Sequence, residues 1–153
     1  MIPPLVFSQT IHNELAKEVA RNLGTTAITF DQLVGQPQPH LNLSEDGLSF
    51  FHPEARSKNK FQIDFNSGST GWRIKRADHE KLIKKALGKS DHSLNILDCT
   101  AGMLQDTLLF LSLGHQVTAL EQSEILFYLL QDGISRSKDQ HIFKKLDLLN
   151  TKA

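Results

Sequence analysis

Apolar residues recur every four positions near the start of the chain, at Ile11, Leu15, Val19 and Leu23, and Ala16 and Ala20 widen the stripe. That spacing predicts an amphipathic helix, with Gly24 as its natural stop. Thr25 to Phe30 is a short β-prone run, and the Gly/Pro/Gln/His segment from Gly35 to His40 reads as loop. Leu41-Asn-Leu and Leu48-Ser-Phe-Phe flank Ser44-Glu-Asp-Gly47, the pattern of a hairpin with glycine where φ must be positive. Phe61, Ile63 and Phe65 alternate with Gln62 and Asp64, which predicts a strand with one buried face. Asn66-Ser-Gly-Ser-Thr-Gly71 is a turn-rich break. Leu82, Ile83, Ala86 and Leu87, closed by Gly88 and accompanied by Lys81, Lys84, Lys85 and Lys89, predict a basic amphipathic helix.

From Ser93 the pattern alternates between strand and helix. Leu94 to Asp98 is a short apolar strand ending in a carboxylate, and Cys99-Thr-Ala-Gly-Met-Leu104 is a tight loop of small residues. Asp106 to Leu113 predicts a helix ended by Gly114, and Val117 to Leu120 a strand ending in Glu121. Ser123 caps a helix through Leu130, and Leu146 to Leu149 predicts a third strand. Strand, crossover helix and strand in repetition build a parallel sheet with right-handed connections. The expected architecture is α/β: a partial Rossmann-like parallel sheet over residues 91–153, preceded by a small α+β N-terminal subdomain over residues 1–90.

Composition adds limits. The chain has 153 residues, 17 Lys+Arg against 17 Asp+Glu, and a single cysteine, Cys99. The length suffices for a real core, and one cysteine forms no internal disulfide, which suits a reducing compartment. The start lacks the features of a signal peptide, and no stretch approaches the ~20 apolar residues of a membrane helix. A cytoplasmic protein without membrane contact is expected. Net neutrality hides an asymmetry: Glu54 to Ser90 holds ten Lys/Arg against four Asp/Glu, a net of +6, so the remainder carries −6. None of the seven histidines pairs with another His or with Cys99 at ligand spacing, so no metal site is expected. Cys99 reads as a small buried filler, and Phe50, Phe51, Phe110 and Phe127 as core.

The informative chemistry lies in Leu-Asp98-Cys-Thr-Ala-Gly102 and in Leu-Glu121-Gln-Ser about twenty residues later. In a βαβ unit the first loop meets the amino end of the next helix. Small residues there admit a ligand to the backbone, and free N–H groups favour a carboxylate or phosphate. An acid ending the second strand accepts hydrogen bonds from two ribose hydroxyls. Together they describe a site for a nucleoside-bearing cofactor; the plain alternative is a βα turn with a helix-capping Asp.

Asp98-Cys-Thr-Ala-Gly-Met-Leu-Gln-Asp106, Leu-Gly-His-Gln-Val-Thr leading into Leu120-Glu121, and Leu129-Leu-Gln-Asp-Gly133 resemble the RsmJ-type small-subunit ribosomal RNA (guanine-N2) methyltransferases. Leu41-Asn-Leu, Gly47-Leu-Ser-Phe, Phe61-Gln-Ile-Asp-Phe65 and Leu146-Asp-Leu-Leu-Asn150 extend the likeness over roughly residues 41 to 153. The resemblance implies S-adenosylmethionine (SAM) as cofactor and small-subunit rRNA as substrate. It implies that Asp98, Thr100 and Gly102 line the methionine side of SAM. Asp106 matches an acid of the loop-helix segment, and Glu121 holds the ribose with Gln122 beside it. Asn150 to Ala153 fall where the third strand approaches the adenine. The family carries a second glycine and an arginine where this chain has Leu104 and Gln105, and its Asp-Pro catalytic loop has no counterpart up to Ala153. Little or no methyl transfer is therefore expected from these residues alone, and the short parallel sheet leaves an edge open to self-association.

Trp72-Arg-Ile-Lys-Arg76 offers an aromatic ring for base stacking and cations for phosphates, so Trp72, Arg73, Lys75 and Arg76 are the expected RNA contacts. Arg73 and Lys75 also match basic positions in the family, whereas Ala77-Asp-His-Glu80 replaces the glycines of its RNA-side loop. A non-catalytic Rossmann-like nucleoside-binding or interaction module is the alternative, and a nicotinamide enzyme a third.

Overall fold

The computed structural model describes residues 1–33, 35, 38–57, 60–67, 81–88 and 92–152. Trp72, Arg73, Lys75 and Arg76 lie outside the described residues, as does most of the turn-rich break. The chain divides into two units, Met1–Ile63 with Tyr128–Gly133, and Asp64–Phe127 with Ile134–Ala153.

The first unit is built on a four-stranded mixed sheet. Its strands are β1 (Leu5–Phe7), β2 (Ala27–Ile28), β3 (His40–Ser44) and β4 (Gly47–Phe51), in the order β2-β1-β3-β4. β1 runs parallel to both β2 and β3, and β3 pairs antiparallel with β4. The expected hairpin is present: Ser44 pairs with Gly47, and Gly47 takes φ 104°, a conformation that a side chain would strain. Helix α1 (Asn13–Asn22) packs against β1 and β2. His12 caps it by accepting from the Glu14 N–H, and Glu14 and Arg21 sit at the ends where the helix dipole favours their charges. Its buried stripe differs from the expected one. Ala16, Ala20 and Leu23 are buried, whereas Leu15 is 49% exposed, because the small alanines allow the helix close to the sheet.

The alternation at Phe61–Phe65 does not produce the expected strand. Phe61 and Phe50 exchange both backbone hydrogen bonds in a single antiparallel bridge, and the ladder stops there. The Gln62 side chain instead donates to the Asp46 carbonyl at 2.8 Å. Ile63 and Phe65 are nevertheless buried, so the pattern reported burial without pairing.

In the second unit, α2 (Lys81–Leu87) forms where a helix was expected, yet none of its residues is fully buried and Leu82 is 80% exposed. A parallel sheet follows, β5 (Asn95–Asp98), β6 (Gln116–Glu121) and β7 (Leu146–Asn150), in the order β5-β6-β7. Helix α3 (Gln105–Ser112) connects β5 to β6, and α4 (Glu124–Ser135) connects β6 towards β7. The strand–helix–strand–helix–strand order on a parallel sheet is the Rossmann-like arrangement. α4 runs five residues past its expected end at Leu130. The core holds Ala101, Leu104, Leu108, Leu109, Leu111, Val117, Ala119 and Phe143, with the Phe65 and Phe143 rings 5.3 Å apart. Phe50, Phe51, Phe110 and Phe127 are half-buried rather than core.

Strand alternation turns Val117, Ala119 and Glu121 to one face, where all three are buried. The register puts Leu97 beside Thr118 and Leu149 beside Leu120 on the other face. There Leu97 is 60% and Leu149 44% exposed, so among the described residues this parallel sheet is covered on one side only.

Candidate functional site

The carboxyl ends of β5, β6 and β7 position the chemistry. Parallel pairing sets Asp98 opposite Ala119 and Glu121 opposite Asn150, so Asp98, Glu121 and Asn150 follow one another along the same edge of the sheet. Ligands of open α/β folds bind outside this edge.

The loop after β5 is held from both sides. Asp98 Oδ1 accepts from the Thr100 N–H at 3.0 Å, and Asp98 Oδ2 accepts from the Thr107 hydroxyl at 2.5 Å. The Ala101 N–H donates to the Leu120 carbonyl at 2.9 Å, tying the loop to β6, and the Leu104 N–H closes a turn on Ala101 at 2.8 Å. Gly102 (φ 50°) and Leu104 (φ 57°) both take left-handed backbone conformations. A branched residue there costs on the order of 1–2 kcal/mol. Leu104 is fully buried, so its side chain points into the core. Leu104, at the N-cap of α3, makes no side-chain capping bond, and the helix starts directly behind this turn.

Thr100 is exposed, Gly102 half-buried and Asp106 exposed in the first turn of α3. Cys99, expected to be a buried filler, is exposed, because the turn closed by Asp98 and Thr100 reverses the chain at that residue.

Glu121 is buried, and its Oε1 accepts from the Ser123 N–H at 2.6 Å; Oε2 has no partner among the described residues. The Ser123 hydroxyl accepts from the Leu126 N–H, so the residue that orients the carboxylate also caps α4, as its sequence position predicted. Gln122, between them, is exposed. Across the ladder, Asn150 Oδ1 accepts from the Lys152 N–H at 2.8 Å, while Asn150 Nδ2 is buried with no hydrogen-bond partner among the described residues. A buried donor without a partner is rare and points to an absent acceptor. An unused carboxylate oxygen and an unpaired amide donor on adjacent strands fit a ligand that presents both hydroxyls and ring nitrogens, as a nucleoside does.

Asp98, Thr100, Gly102, Asp106, Glu121 and Gln122 thus gather at the ends of β5 and β6. Sequence reasoning missed Thr107. A threonine inside a helix carries no signal of its own, although its place nine residues after Asp98 puts it on the first turns of the helix that follows.

Residues 27–153 match the family model described as "Putative SAM-dependent methyltransferase". Among curated relatives, the ribosomal RNA small subunit methyltransferase J of Nitrosococcus oceani is 32% identical over 125 residues, covering 80% of this chain and 48% of its own length. That of Desulfotalea psychrophila is 34% identical over 136 residues, covering 86% of this chain and 51% of its own. The chain therefore spans about half the length of these relatives. The crystal structure of a SAM-dependent methyltransferase from Neisseria gonorrhoeae superimposes with a TM-score of 0.68 at 25% identity, covering 96% of this chain and 59% of that one. With a family model matching residues 27–153 and a Rossmann-like sheet carrying the site, the chain belongs to the SAM-dependent methyltransferases.

Proposed function

We propose that the chain carries the cofactor-binding half of an enzyme that methylates the exocyclic N2 of a guanine in small-subunit ribosomal RNA. The observation that carries this reading is the polar edge of Glu121 and Asn150 beside the Asp98–Leu104 loop, in a chain whose curated relatives are named small-subunit rRNA methyltransferases. Glu121 accepts from two ribose hydroxyls, one of them at the unused Oε2, and Gln122 flanks it. The buried Nδ2 of Asn150 donates to an adenine ring nitrogen. Asp98, Thr100, Gly102 and Asp106 surround the methionine end, where Gly102 permits close approach of the backbone. The N-terminus of α3 favours that end's carboxylate.

SAM supplies an electrophilic methyl group on a sulfonium. The residues named here act by orientation, since in-line transfer to an amine depends chiefly on positioning. On the RNA side, Arg73, Lys75 and Arg76 neutralise phosphates and Trp72 stacks on a base. The exposed Leu97 and Leu149 on one face of the parallel sheet supply a route to self-association. One observation favours the second reading, a non-catalytic nucleoside-binding module: both oxygens of Asp98 are already committed to Thr100 and Thr107.

Nucleoside mass spectrometry of small-subunit rRNA, from cells with and without the gene for this chain, tests the proposal. Loss of one N2-methylguanosine on deletion is expected. An unchanged set of methylated guanines would remove the rRNA assignment and leave the module.

A further inference from the structure

On the first unit, β1, β3, β4, the one-turn helix at Phe30–Gln32 and the segment at Lys60–Gln62 enclose a groove of about 500 Å³, made wholly of residues outside the cofactor site. That volume lies within the usual range for small-ligand sites. Its floor is polar in the interior of a sheet. Asn42, on β3, is buried; its Nδ2 donates to the Val6 carbonyl at 3.2 Å and its Oδ1 accepts from the Lys60 ammonium. The buried Ser49 hydroxyl donates to the Asn42 carbonyl at 3.3 Å. A buried amide is rarely left without its bonds, and here they fix a cation at the groove wall. The Gln62 amide, bonded to the Asp46 carbonyl, braces the segment that carries Lys60 against the hairpin turn.

Phe30 lines the same groove with 72% of its surface exposed. The groove therefore combines an open aromatic ring, one held ammonium, one carboxylate at Asp46 and the hydroxyls of Ser8 and Ser44. A ring face, a cation and mixed donors and acceptors are what an unpaired nucleotide uses: stacking for the base, charge for the phosphate and hydrogen bonds for the base edge. Asp46 disfavours a duplex backbone, which presents only phosphates, whereas a splayed base offers N–H donors that a carboxylate accepts. Lys60 also belongs to the basic stretch from Glu54 to Ser90.

We infer that this groove binds one unpaired nucleotide of single-stranded RNA, with its base on Phe30 and its phosphate at Lys60. The inference rests on RNA being the substrate.

Fluorescence anisotropy with a short single-stranded RNA, and with a duplex of the same sequence, tests it on the full chain and on Phe30→Ala and Lys60→Gln. Both altered side chains are exposed, and circular dichroism of each variant checks that it is folded. Phe30→Ala is expected to weaken single-strand binding by roughly fivefold to a hundredfold. Lys60→Gln is expected to flatten the slope of log affinity against log salt by about 0.7. Neither variant should alter the heat of S-adenosylhomocysteine binding. RNA binding that both variants leave intact, or equal preference for the duplex, would overturn the groove while leaving RNA as the substrate. No RNA binding by any form, with S-adenosylhomocysteine still bound, would overturn the groove together with the RNA reading and leave the cofactor site standing.

Discussion

The Thr107 hydroxyl donates to Asp98 Oδ2 across 2.5 Å, joining the first turns of α3 to the end of β5 behind the loop that separates them. Thr107 is fully buried and Asp98 half-buried, so the donor is shielded from water. Thr107→Val keeps the shape and removes the donor. A hydrogen bond to a charged group contributes roughly 1.5–3 kcal/mol, and urea unfolding of Thr107→Val is expected to show a loss of that size. Thr107→Ser, which keeps the hydroxyl, should lose less. Equal losses in the two variants would mean that packing, not the bond, holds the loop.

Leu104 sets two effects against each other. Glycine at this position relieves a left-handed conformation that costs on the order of 1–2 kcal/mol, but it deletes a fully buried leucine, for which truncation costs about 2–5 kcal/mol. Burial is the larger effect, so Leu104→Gly is expected to lower stability by roughly 1–3 kcal/mol. A stabilised variant would show that backbone strain dominates the turn.

Gly133 sits inside α4, where alanine normally gains about 1 kcal/mol. A Cβ there would lie 2.6 Å from Ile63 Cγ2 and 3.0 Å from the Ile63 carbonyl oxygen. Ile63 is buried and the carbonyl belongs to the backbone, so the overlap is not relieved by a side-chain rotation. Overpacking costs about 1–3 kcal/mol, and Gly133→Ala is expected to be net destabilising. A double-mutant cycle with Ile63→Ala should return favourable coupling; additive effects would contradict the contact.

Asp64 governs part of the acid response. The Ser67 hydroxyl and the Asn66 N–H, both donating to its carboxylate, and secondarily the Arg136 charge, hold it below the ordinary value of 3.8. The folded state therefore favours the ionised form. Its contribution is complete at neutral pH and is lost as pH falls below 3.8 through the lowered value. Melting temperatures followed from neutral to acid pH should fall less steeply for Asp64→Asn than for the parent chain. Parallel curves would show that these bonds do not outlast the competition with water.

Much of this architecture was legible because its signals are local. The helix at Asn13–Asn22, the turn at Gly47 and the βαβ alternation after Ser93 each follow from spacings within one element. What escaped depends on distant partners. β1 has three residues, too few for a period, and becomes a strand only because β2 and β3 arrive on either side of it. Phe61–Phe65 has the period of a strand but a partner only at Phe50. The helix expected to end at Leu130 continues to Ser135, because Gly133 leaves the space that Ile63 fills. At the site, Asp98 and Glu121 were readable from their places at strand ends. The bond from Thr107 and the unpaired amide of Asn150 emerge only when the strands are assembled.

The central claim is that the edge formed by Glu121 and Asn150 is a nucleoside site. Calorimetric titration of the folded chain with S-adenosylhomocysteine, repeated with Glu121→Ala, tests it most directly. Binding is expected for the parent chain, with a loss of roughly 1.5–3 kcal/mol, about tenfold to a hundredfold in affinity, when the carboxylate is removed. No binding by the folded parent, or an affinity unchanged by Glu121→Ala, would contradict the account.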